Sequence, residues 1–153
     1  MAENNAHHGS YAGLLKIRGF PPLLAAAGLG AAVDAVQAAE PGFEGKIRAL
    51  VRHFCKAFDD NPVLFSYLLL SQHDQVRKVT PQMANPLSVV RTVIAEGMAQ
   101  QPGDRRDPAV VSAMVLGLVL QVAVERTYGR IAAPLASLAD TLADACWRVA
   151  KEG

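Results

Sequence analysis

The sequence predicts an all-α protein of about six helices. Apolar residues recur at spacings of three and four from Phe43 onward, and no alternating run of strand length occurs. The junctions Asn61-Pro62, Asn85-Pro86 and Asp107-Pro108 repeat one helix-start chemistry. In each, a side chain able to accept the first free N–H groups precedes a proline whose φ is preset for the first turn. After Asp107 the chain carries no charge until Glu125.

Taken in order, residues 1–10 are small and polar, and the adjacent pair His7-His8 reads as part of a free end rather than a ligand set. Segment 11–17 suits a short helix, broken by Gly19 and Pro21-Pro22. Segment 23–39 is alanine-rich and helix-compatible, though Gly28 and Gly30 weaken it. Segment 43–60 is an amphipathic helix. Ile47, Leu50, Val51, Phe54, Cys55 and Phe58 share one face, and Lys46, Arg48, Arg52, Lys56 and Asp59 fall largely on the other. A second apolar helix is expected at 63–70 with Phe65, Leu68 and Leu69 inward, then a polar stretch containing Pro81. Segment 86–98 carries Leu87, Val90, Val93, Ile94 and Met98 at helical spacing.

The next helix starts at Asp107-Pro108 and is apolar on nearly every face, so it must be covered on more than one side. A partner subunit would do this; so would burial at the centre of a single chain. After a break at 129–134, the last helix is expected to begin at Pro134, with Leu135, Leu138, Leu142, Cys146 and Val149 in one stripe.

The 153 residues fit one domain, and 51% hydrophobic content makes it an apolar one. A formal net charge of +1 provides no field for gripping a phosphate backbone. Cys55 and Cys146 stand too far apart in sequence to suggest a disulfide framework, so a reducing cytoplasm is expected. The N-terminus lacks the succession of a secretion signal. The uncharged stretch 108–124 touches the lower limit of a membrane span, but Ser112, Gln121 and Glu125-Arg126 fit a buried helix of a soluble protein better. No membrane association is expected.

No enzyme constellation stands out: there is no phosphate loop, His-Glu-x-x-His or nucleophile elbow. His53 and Cys55, two apart on a helix, point away from each other. Asp59, Asp60, Asp140 and Asp144 are expected as solvated surface. No cofactor and no metal are expected. The aromatic and methionine residues of the middle helices admit two readings, a ligand cavity or an ordinary core in which Met fills gaps. Phe54, Phe58, Phe65, Tyr67, Met83, Met98 and Met114 are the candidate lining, with Gln121, His53 and Ser112 as polar contacts.

From about 43 to 150 the chain resembles the C-terminal regulatory domain of the TetR family of transcriptional regulators. The likeness rests on the helix at 46–58, the Asn-Pro break and Val63-Leu64-Phe65-Ser66-Tyr67-Leu68-Leu69, then the helix at 87–98. An acidic-Pro start, a long apolar helix with Met114-Val115-Leu116-Gly117, and Tyr128-Gly129-Arg130-Ile131 follow, and the last helix closes on Ala145-Cys146-Trp147-Arg148. His7-His8-Gly9-Ser10-Tyr11-Ala12-Gly13-Leu14-Leu15 is similar to the segment after the family's recognition helix, with His8 and Tyr11 where an aromatic and a lysine are usual. Residues 1–42 therefore correspond to an altered or truncated junction with a DNA-reading head, and 43–153 to the regulatory domain.

The resemblance implies a homodimer through the last two helices and a small apolar or amphipathic effector between the middle ones. DNA would be bound only if a helix-turn-helix head is supplied. Val115, Leu118, Val119 and Val122, flanked by Leu135, Leu138 and Leu142, are the candidate dimer residues. Periodicity leaves open which of them face a partner and which the chain's own core. A stand-alone small-molecule carrier using the same pocket is the alternative, and an enzyme ranks third.

Overall fold

The computed structural model describes residues 31–63 and 86–152. The helix expected at 11–17, residues 23–30 of that at 23–39, most of that at 63–70, the Pro81 loop, the cap residue Asn85, and His7, His8, Phe65, Tyr67 and Met83 lie outside them. Among the described residues there is no strand. A helical segment at 31–38 is followed by α1 (Phe43–Asp60), α2 (Pro86–Ala99), α3 (Pro108–Thr127), a 3-10 turn (Leu135–Leu138) and α4 (Ala139–Ala150).

In α1 the six residues that share a face in the sequence are the six that are buried. Asn61 ends the helix, its N–H donating to the Ala57 carbonyl at 2.9 Å. Along the flank of α1, Arg48 bonds Asp144 and Arg52 bonds Asp140. Further on, the Asp59 carboxylate accepts the N–H groups of Leu135 at 3.0 Å and Ala136 at 2.8 Å. Rising numbers in α1 meet falling numbers in the last segment, so α1 and α4 run antiparallel. Asp60, Asp140 and Asp144 are solvated as expected, with side chains 62%, 86% and 49% exposed. The expectation is corrected for Asp59 alone, which is half-buried and accepts two backbone N–H groups. Asp59 caps the 3-10 turn, Asp140 and Asp144 face arginines, and Asp60 pairs with Lys56 within its own helix. Exposed pairs of this kind contribute little to stability, but they do fix the alignment of the two helices.

The last helix does not begin as an α-helix at Pro134. Proline holds the backbone extended there, and Asp59 captures the first two free N–H groups in a tight turn before α4 starts at Ala139. Its buried stripe is Ala139, Leu142, Ala143, Cys146 and Ala150. The alanines bring α4 close to its neighbours, and Leu138 and Val149 are left only partly buried.

The α2 helix packs chiefly on α3, and α3 on α4. Leu87, Val90, Val93, Ile94 and Met98 of α2 are all buried. Gly97 lies against the Phe43 ring, which in turn meets Trp147 edge to face at a centroid distance of 5.4 Å. Asp107 caps α3 by accepting the Ala109 N–H at 2.9 Å, with Pro108 in the first turn. At the other end Gly129 takes the left-handed backbone (φ +79°) that glycine adopts without strain. Arg106 closes the far end of the bundle. Its guanidinium holds both oxygens of Asp104 and the carbonyls of Val149, Ala150 and Lys151, which are end groups of α4.

Candidate functional site

Between α1, α2 and α3 lies a small cavity. Ile47, Leu50, Val51 and Phe54 line it from α1, Leu87 and Val90 from α2, and Val115, Leu116, Val119 and Leu120 from α3. Every described lining residue is apolar. Its volume is about 20 Å³, room for one water-sized body, whereas pockets for small molecules run to roughly 300–1,000 Å³.

Of the described residues proposed from the sequence to line a pocket, Phe54 alone is at this cavity. Phe58 and Met98 are buried in the core away from its walls. Ser112 is buried on the core face of α3, and His53 is half-buried on α1; neither lines the cavity. Met114 is 45% exposed and Gln121 is also exposed, so both face away from it.

The same geometry settles the rotation of α3. Val111, Ser112, Val115, Val119 and Ala123 point into the bundle. The opposite side presents Val110, Ala113, Met114, Gly117 and Gln121 to solvent, with Val110 53% exposed. A Cβ on Gly117 would touch nothing within 4 Å. This strip covers three helical turns and carries no charge.

Of the seven candidate dimer residues, Val115, Val119, Leu135 and Leu142 are therefore consumed by the chain's own core. Leu118, Val122 and Leu138 lie at its margin, partly buried. Sequence periodicity missed the outward strip because α3 is apolar all round. One signal was available: Gln121 is the only long polar side chain before Glu125. Taking it as outward places Val110, Met114 and Gly117 beside it at helical spacing.

The described residues contain no cluster of three or more His, Cys, Asp or Glu able to hold a metal. Cys55 and Cys146 are free, buried thiols, although distant in sequence. Burial pushes them up to about 11 and about 12, far from the range of a reactive thiolate. His53 is lowered by burial and by the neighbouring Lys56.

Comparison with protein-family models, curated proteins and solved structures finds no match.

Proposed function

We propose that this chain is a cytoplasmic effector-binding and dimerisation module, the regulatory domain of a TetR-like transcriptional regulator, and acts by binding rather than by catalysis. The observation that carries the proposal is the uncharged apolar strip left open on α3. An exposed apolar face on an otherwise amphipathic bundle marks an interface. The occupant is a second copy of the chain. Two strips related by a two-fold axis bring no like charges together, and Gly117 lets the helices approach closely. Val110, Met114, Gly117 and Gln121 form the centre of the contact, with Leu118, Val122 and Leu138 at its edge.

The effector enters between α1, α2 and α3. The described walls there are apolar, so the ligand presents an apolar body. The cavity must widen to hold it, and the helix that moves, α3, is the one that carries the dimer strip. That shared helix is the physical link between effector and partner. Duplex DNA is bound only through a helix-turn-helix head; this chain's net charge of +1 supplies no overall basic field for a phosphate backbone.

Two other readings have specific support. A stand-alone carrier would use the same cavity without needing the strip. By length and composition α3 could also cross a bilayer. Its packing of Val111, Ser112, Val115 and Val119 against the bundle favours a soluble role.

Native mass spectrometry of the chain with a panel of apolar ligands tests the proposal. Dimers carrying ligand support it. Ligand-loaded monomers would turn it into the carrier, and unliganded monomers would overturn both.

A further inference from the structure

A second, larger cleft opens where α1 and α3 end. Phe58, Asp59, Pro62, Arg126, Thr127 and Pro134 line it, and its volume is about 580 Å³. None of these residues lines the apolar cavity, so the cleft is independent of the proposed effector site.

Two half-buried charges of opposite sign share this cleft. The Asp59 oxygens each accept one backbone N–H, from Leu135 and Ala136. The Arg126 Nη1 donates to the carbonyls of Ile131 at 3.3 Å and Ala132 at 2.7 Å. Among the described residues neither takes part in an ion pair, with the other or with any third group. Neither charge is therefore offset by a neighbouring counter-charge, and the guanidinium keeps N–H donors to spare. A charge drawn partly out of water favours a counter-charge. Asp59 sits in the last turn of α1, whose negative dipole end adds to the attraction for a cation there. Phe58, Pro62 and Pro134 supply apolar walls between the two charges.

We propose that this cleft binds a small zwitterion of the α-amino-acid kind, its ammonium group on Asp59, its carboxylate on Arg126 and its side chain against Phe58 and the two prolines. A simple anion would meet Asp59 unpaired, and a simple cation would meet Arg126 unpaired.

The test is an NMR titration of the full chain with three probes: L-leucine, N-acetyl-L-leucine and L-leucinamide. L-Leucine is expected to give saturable shifts at 58–62 and 126–134. The acetylated and amidated probes, each lacking one charge, should bind about tenfold more weakly. Arg126→Gln should abolish the preference for leucine over its amide while keeping the preference over the acetyl form, and Asp59→Asn should do the reverse. Thr127→Phe fills the cleft with both charges in place and should remove binding of all three probes, which separates site loss from any loosening of the turn in the charge variants. No saturable shift at tens of millimolar, equal response to the three probes, or unchanged leucine binding in Thr127→Phe would overturn the proposal.

Discussion

Two helix glycines should respond to alanine with opposite signs. A Cβ built on Gly97 would lie 2.3 Å from Cδ1 and 2.4 Å from Cε1 and Cγ of Phe43, about an ångström inside ordinary contact at 3.4 Å. All three atoms belong to one rigid ring, held from the other side by Trp147 at 5.4 Å. The ring cannot swing away without breaking that contact, so α2 must move. Overpacking of a tight core costs about 1–3 kcal/mol. The gain in helix propensity from glycine to alanine, about 1 kcal/mol, offsets part of it. Gly97→Ala should therefore be neutral to about 2 kcal/mol destabilised, and Gly97→Val, with two more methyl groups and no such full gain, clearly worse. At Gly117 a Cβ meets nothing, so Gly117→Ala should keep the whole gain of about 1 kcal/mol in the isolated protomer. Urea unfolding followed by Trp147, the single tryptophan, reads both, at a concentration where the variants share one association state. If Gly97→Ala were stabilised as much as Gly117→Ala, the packing of α2 on Phe43 would be wrong.

Other outcomes rest on the same geometry. The Arg106 hydrogen bonds, helped by Gln101, hold Asp104 down at about 2; its unfolded value is about 3.9. The native state thus gains stability from this carboxylate above pH ~4 and loses it as pH falls toward 2. Arg106→Gln should flatten the acid limb of a denaturation series over that window and speed amide exchange at the end of α4. Cys55 and Cys146 should resist a thiol reagent at pH 8 in the folded protein and react at once in urea; rapid native labelling of both would refute their burial. A saturating apolar ligand at 100 times its dissociation constant should add about 2.7 kcal/mol of stability. Phe54→Ala should blunt that gain while Phe58→Ala, away from the cavity walls, should lower stability without changing ligand affinity. Equal loss of affinity in both variants would place the ligand elsewhere.

Much of the fold was legible in the sequence. The buried face of α1, that of α2 and the Asp107 cap of α3 are dictated directly by spacing and junction chemistry. In each case polar and apolar residues alternate with a clear helical period, so one face has no rival. The rotation of α3 was not legible in this way, since Val, Leu, Met and Ala occupy every side of it. The helix is oriented by its neighbours: Val115 and Val119 turn toward α1 and α2, and Met114 and Gly117 are left outside. The 3-10 turn was hidden for a different reason. It depends on the Asp59 carboxylate arriving from more than seventy residues away, and no local pattern encodes that. The alanine stripe of α4 was also missed, because alanine carries little periodic signal, yet its small size sets how near α1 and α3 can come.

The central claim, that the open strip of α3 is covered by a second copy of the chain, is tested most directly by sedimentation velocity at tens of micromolar on the unmodified chain and two aspartate variants. The unmodified chain should sediment as a dimer. Met114→Asp places a charge in the dry contact and should give a folded monomer, with unchanged helical content. Val119→Asp buries the same charge in the protomer's own core and should unfold the chain instead. A cooperatively folded monomer for the unmodified chain, or a dimer indifferent to Met114→Asp, would contradict the claim and leave the strip as plain solvent-facing surface.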